Sequence, residues 1–233
     1  MSRLNDPESV RREYADESRF AVRADAWARS TGPNAIAMLR DAVAEVSPKQ
    51  VLEVGPGRGE TAEWIARETG ATVVAVDQSE RMVELTRARG IEARLGDVQE
   101  LPFADESFDC AVAAWMLYHV PDLDRGLSEV ARVLRSGGRF VAVTNSKRHT
   151  QELKALVGVV GESTFSAENG EELLRRHFSD VERRDAEGHA IFEPDEAIAY
   201  LKASESLWSG GPVPEIDASI RVTKAPVVFV ATK

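Results

Sequence analysis

Two rhythms of apolar residues alternate along the middle of the chain. Short apolar runs at 51–54, 72–76, 91–95, 110–115 and 139–144 read as strands. Between them, apolar positions recur every three or four residues at 61–68, 79–89 and 122–134, which predicts helices. Gly70, Gly90 and the Ser136-Gly137-Gly138 turn stand where these helices should end. The run at 110–115 is apolar almost throughout, as expected of a strand covered on both faces. Strand–helix alternation at this pitch predicts βαβ units, hence a doubly wound α/β fold with a mostly parallel sheet and helices on both sides. Residues 8–46 read as helical, with a break at Ser30-Thr31-Gly32-Pro33 and a stop at Pro48. After residue 145 the rhythm loosens into helices near 150–160 and 169–177, a strand at 181–185, a helix opened by Pro194 and a last strand at 227–231. We therefore expect an N-terminal helical lid over 1–48 and a single α/β domain over 49–233.

Composition narrows the function. The chain has 233 residues, 43% hydrophobic and 29% charged, an ordinary balance for a globular domain. No apolar run approaches the ~18 residues of a membrane span, and the N-terminal residues do not read as a signal peptide. A single cysteine makes no internal disulfide and ligates no iron–sulfur cluster or structural zinc, so a reducing cytoplasm is the expected compartment. The formal net charge of −10 argues against a phosphate backbone as partner. Nor does the basic side offset this, because Arg11-Arg12, Arg175-Arg176 and Arg183-Arg184 sit among acidic residues.

In a doubly wound sheet, ligands bind beyond the carboxyl ends of the strands, where strand order reverses. The residues just past each predicted strand are therefore the ones to inspect. The first strand runs into Gly55-Pro56-Gly57-Arg58-Gly59, a loop whose backbone can turn tightly and approach a ligand closely. It departs from the dinucleotide fingerprint, which places a further glycine where Glu60 stands. Glu53 precedes the loop, Asp77-Gln78 follows the second strand, and Asp97-Val98 follows the third. A carboxylate next to a pyrophosphate is repelled, whereas next to an ammonium or a sulfonium it is attracted. Three acidic residues at neighbouring strand ends suit a cationic nucleoside, which favours S-adenosylmethionine over NAD. The fourth strand ends in Trp115, with Tyr118-His119 shortly after.

These stretches carry a resemblance. Residues 51–60, Val-Leu-Glu-Val-Gly-Pro-Gly-Arg-Gly-Glu, resemble the first motif of class I S-adenosylmethionine-dependent methyltransferases. Gly96-Asp97-Val98-Gln99-Glu100-Leu101-Pro102-Phe103 through Ser107-Phe108-Asp109 is similar to the segment before strand four in their ubiquinone/menaquinone-biosynthesis-type branch. Met116-Leu117-Tyr118-His119-Val120-Pro121-Asp122 and Leu134-Arg135-Ser136-Gly137-Gly138-Arg139 continue the resemblance in order.

The resemblance implies a Rossmann-like seven-stranded sheet and S-adenosylmethionine as cofactor, with S-adenosylhomocysteine as product. By position, Gly55 and Gly57 line the methionine part, Asp77 and Gln78 hold the ribose, Asp97 and Val98 hold the adenine, and Trp115 stands at the cofactor–acceptor junction. Tyr14 and Arg23 resemble the lid residues that close over the methionine carboxylate in some relatives. His119 is the best-placed base for an acceptor that must lose a proton. No set of residues shows metal-ligand spacing, so metal-independent transfer is expected. The Asn/Asp-Pro-Pro-aromatic motif of exocyclic-amine nucleic-acid enzymes is absent, since 113–116 reads Ala-Ala-Trp-Met. Cys110 opens the fourth strand, away from the expected site, which disfavours cytosine-C5 chemistry. A small-molecule acceptor is the favoured reading. An RNA or protein methyltransferase, a non-catalytic S-adenosylmethionine-binding protein and an NAD-dependent oxidoreductase are its rivals. The methylated atom (O, N or C) and the oligomeric state stay open.

Overall fold

The computed structural model describes residues 17–158, 163–204 and 212–233. Its strands are β1 (Gln50–Val54), β2 (Thr72–Asp77), β3 (Glu92–Leu95), β4 (Phe108–Ala114), β5 (Leu134–Asn145), β6 (Asp180–Asp185), β7 (Gly188–Phe192), β8 (Ile220–Lys224) and β9 (Pro226–Thr232). The helices are α1 (Glu17–Asp25), α2 (Ala35–Ala44), α3 (Glu60–Thr69), α4 (Glu80–Ala88), α5 (Leu123–Val133), α6 (Gln151–Val157), α7 (Gly170–Leu174) and α8 (Pro194–Ala203), with a 3-10 turn at Leu117–His119.

Seven strands form one sheet in the order β3-β2-β1-β4-β5-β9-β6. The pairs β1–β2, β2–β3, β1–β4 and β4–β5 are parallel, and β9 runs antiparallel between β5 and β6. The chain winds outward from β1 to β3, then returns to β4 on the other side of β1. That reversal opens a crevice at the carboxyl ends of β1 and β4. β4 is buried along most of its length, as its unbroken apolar run requires.

One apolar cluster lies under α5, where Leu127, Val130 and Val133 meet Leu52, Ala113 and Phe140. On the opposite face, Leu39 and Val43 of α2, Ile65 of α3 and Val83 of α4 pack on Val51, Val73 and Val112. Burial of such a side chain contributes about 1.5–3 kcal/mol. Asp122 caps α5 by accepting from the Arg125 N–H at 3.1 Å, and Asn34 caps α2 by accepting from Ile36 and Ala37.

Of the segment 1–48 expected as a helical lid, α2 is therefore packed into the sheet's own core against β5 and β9, while α1 packs on α8. The sequence reading also missed a two-stranded antiparallel ribbon, β7–β8. It joins α6 and α8 around a third cluster that includes Leu153, Phe192, Tyr200 and Val222, with Trp27 packed against it. Helices α6 and α7 are shorter than the spans 150–160 and 169–177 that the pattern predicted. Among the described residues no helix is long and apolar enough to cross a membrane.

Candidate functional site

A cavity of about 1050 Å³ opens at the carboxyl ends of β1, β2 and β4. Ten of the expected site residues line it together: Arg23, Glu53, Gly55, Gly57, Asp77, Gln78, Asp97, Val98, Trp115 and His119. Tyr14 lies outside the described residues.

At one end stands the glycine loop. Gly55 has φ +66°, and a Cβ there would come within 2.7 Å of the Met116 Cβ, so the turn has no room for a side chain. Glu53 is 1% exposed, and among the described residues nothing bonds its Oε2. Burial pushes its carboxyl up to about 8, a backbone bond from Ala62 opposes the rise, and neighbouring Asp77 adds to it. Asp77 Oδ1 accepts from the Ser79 N–H at 2.9 Å. Burial likewise raises Asp77, to about 6, against backbone donors at Ser79, Gly57 and Gln78. Asp97 is exposed, and its carboxylate is engaged by Gln99, with the backbone N–H at 2.9 Å and the side-chain amide at 2.8 Å. Val98 buries its side chain in the core below.

Trp115 takes φ +54° at the end of β4, and its indole N–H donates to Asn145 Oδ1 at 3.1 Å. That bond turns the ring across the cavity floor between β4 and β5. His119 closes the 3-10 turn, 6% exposed, its ring 4.5 Å from that of Tyr118. Arg23 projects from α1 and donates to the Ala203 carbonyl at 2.6 Å, which ties α1 to the end of α8.

The other end is built by residues that the sequence reading did not single out. Trp27 lies 4.8 Å from the His149 ring and 6.0 Å from that of Tyr200, centroid to centroid. His149 Nδ1 accepts from the Ala225 N–H at 3.1 Å, so the neutral ring carries its proton on Nε2. Burial pushes this imidazole down to about 3, with Lys154 and Lys224 adding to the effect. Lys154 and Lys224 line the same end, and burial lowers both ammonium groups from their usual range. His149 follows β5 by only four residues, counting from Asn145, so the search of strand ends was capable of reaching it. Lys224 belongs to β8 and had no such signal.

Among the described residues no group of three or more His, Cys, Asp or Glu side chains is arranged to hold a metal ion. The Glu53 oxygen left without a partner among the described residues, the side-chain-free turn at Gly55 and the half-buried Asp77 fit an adenosyl amino acid with an ammonium group.

Comparison with known proteins agrees with this geometry. A family model described as "Methyltransferase domain" matches residues 52–142. A demethylmenaquinone methyltransferase of Thermobifida fusca is 33% identical over 72% of this chain and 65% of its own length. An uncharacterized methyltransferase of Mycobacterium tuberculosis is 33% identical over 77% of this chain and 72% of its own. The chain spans about half to two thirds of the length of several curated relatives that it matches, 51% and 65% in two of them. In fold it is similar to a phosphoethanolamine N-methyltransferase of Haemonchus contortus solved with S-adenosylhomocysteine, at a TM-score of 0.65 and 18% identity, covering 99% of this chain and 60% of that one. A mostly parallel sheet reversing at β1 and β4, the glycine loop and the Glu53 and Asp77 carboxyls beside it, and relatives of this identity and extent together show that the chain belongs to the class I S-adenosylmethionine-dependent methyltransferases.

Proposed function

We propose that the protein transfers a methyl group from S-adenosylmethionine to a small-molecule acceptor bound at the far end of the cavity. The observation that carries the reading is the buried Glu53 carboxyl, one oxygen partnerless among the described residues, beside a loop with no room for a side chain. S-adenosylmethionine supplies, when bound, a methyl group on a sulfonium that is already a good leaving group. Glu53 then accepts from the ammonium, Asp77 and Gln78 accept from the ribose hydroxyls, and Gly55 and Gly57 let the chain approach the methionine part. Asp97 and Val98 border the adenine, with Asp97 exchanging its Gln99 contacts for the amino group. Trp115 stands at the junction of cofactor and acceptor, and Arg23 serves the lid side.

What remains for the protein is alignment and exclusion of water, which alone supply several orders of magnitude in rate. His119 takes the proton when the acceptor has one to lose. A walled cavity and a net charge of −10 favour a small acceptor over a nucleic acid. A single cysteine forms no internal disulfide, which suits a reducing compartment such as the cytoplasm.

The test is calorimetric titration with S-adenosylhomocysteine, followed by a search for its formation from S-adenosylmethionine across acceptor panels. Wild-type protein should bind, and Asp77→Ala should lose about 1.5–3 kcal/mol of that binding, the range for hydrogen bonds involving a charged group. Unchanged affinity in Asp77→Ala would overturn the cofactor assignment. Tight binding with no turnover on any panel would instead favour a non-catalytic cofactor-binding protein.

A further inference from the structure

Lys224 is 7% exposed, and among the described residues its ammonium donates to neutral oxygens, Ser30 Oγ at 3.1 Å and the Pro33 carbonyl at 2.9 Å. Lys154, on α6, donates a long bond to the Lys147 carbonyl at 3.4 Å. The carboxylates near them are spent elsewhere. Glu168 accepts from Ser146 Oγ at 2.6 Å and the Lys147 N–H at 3.0 Å, and Glu152 accepts from the Thr223 N–H at 2.8 Å. Among the described residues, neither ammonium forms an ion pair with a carboxylate, although the Glu168 charge acts on Lys154 from nearby. Buried charge is costly unless it is paired, so an anion bound at this end of the cavity gains from both ammonium groups. His149 adds a donor, because its Nε2 carries the proton, and it faces the same end beside Trp27 and Tyr200.

The opposite end holds Glu53, Asp77 and Asp97, so the cavity is acidic where the cofactor fits and basic where the acceptor fits. An anionic group drawn to the lysines leaves the remainder of its molecule against Trp27 and Tyr200. Resting on the reading of this cavity as a methyl-transfer site, we infer that the acceptor carries a carboxylate on an aromatic or alkyl body that also bears the nucleophile to be methylated. The two carboxylate oxygens are taken by Lys154, Lys224 and the His149 Nε2–H, while the nucleophile faces the sulfonium and its proton, where it has one, passes to His119. The lysines act as point charges and the imidazole offers a single N–H, so a phosphate probe decides between a carboxylate and a phosphate head group.

The experiment is calorimetry on the full chain saturated with S-adenosylhomocysteine, using matched pairs: 4-hydroxybenzoate against 4-hydroxybenzamide, and octanoate against octanamide. Phenyl phosphate serves as a third probe. The acid of at least one pair should bind about ten-fold or more tightly than its amide, as expected when charge-assisted bonds are lost. Lys224→Met should erase that preference while leaving S-adenosylhomocysteine affinity unchanged. Lys154→Met, on a half-buried helix position, gives the same reading if the first variant fails to fold. Equal binding of acid and amide, preference for phenyl phosphate, or an undiminished preference in Lys154→Met would each overturn the inference. Acid preference without any S-adenosylhomocysteine binding would support the anion site and overturn the methyl-transfer reading instead.

Discussion

At Glu53 the protein buries a carboxyl that desolvation holds up at about 8, with Asp77 next to it at about 6. Both values lie above the ordinary 4.5 and 3.8 of these groups in the unfolded chain. Each protonated carboxyl therefore favours the folded state at low pH, and that contribution is lost as pH rises through the folded value. The ligand-free protein should lose thermal stability steadily between pH 5 and about pH 8, by up to ~1.4 kcal/mol per pH unit for one such group. Glu53→Gln should flatten the part of the slope above pH 6, where Asp77 has already ionised. A thermal-unfolding series with the same slope in both proteins would show that Glu53 is not the buried acid. His119 raises a different question, since imidazole is the side chain that changes charge near neutrality. If it is the base, His119→Ala should lower the transfer rate by about 10²-fold with cofactor affinity nearly intact. The wild-type rate should rise with pH through the histidine range, and the variant should lack that limb. Normal turnover in His119→Ala would leave alignment as the whole of catalysis.

Among the elements, α1 has the least secure position and the most consequence. It rests on α8, held in part by the Arg23 bond to the Ala203 carbonyl, and it carries no part of the sheet's core. Helix α2, by contrast, buries Leu39, Ala42 and Val43 completely against the sheet. A lid should consequently be found in α1 and not in α2. Amide hydrogen exchange in 17–25 should slow when S-adenosylhomocysteine binds, as expected of a segment that closes over a reacting centre. Exchange in 35–44 should be slow in either state. Equal protection of 17–25 with and without ligand would make α1 a packing element only. The sequence pattern joined these two helices into one lid because both are alanine-rich and precede the first strand. Their different burial depends on β5 and β9, about a hundred and two hundred residues away by sequence, roughly the separation that only tertiary packing bridges.

For the molecule as a whole, the cavity holds acids at one end and lysines at the other, with no metal-binding cluster among the described residues. In the proposed reading, the cofactor and Lys154 and Lys224 supply the charge that a bound cation would otherwise bring. Dialysis against EDTA should therefore leave transfer intact, measured as S-adenosylhomocysteine formed per unit time. A loss of activity restored by Mg²⁺ would contradict this. Salt should act weakly on cofactor binding, because Glu53 is buried from the screening ions and Asp77 is half-buried.

The sequence by itself determined the central sheet, the crevice at its strand ends and most of the residues that line that end of the cavity. Those features are local: an apolar run makes a strand, a glycine lets it turn, and the residue just past the strand faces the crevice whatever else the chain does. Glu53, Asp77, Asp97 and Trp115 were legible for that reason. The other side of the cavity was decided only by the tertiary structure. β7 and β8 are short and lie far apart in sequence, and each alternates too briefly to announce a strand, yet their pairing sets Lys224 beside Ser30 and Pro33. His149 reads in the sequence as one more polar residue in a loop, until Trp27 stacks on it and Ala225 fixes its tautomer. Such residues acquire their chemistry from neighbours that no periodicity connects to them, whereas the cofactor side acquires it from the strand that each residue ends.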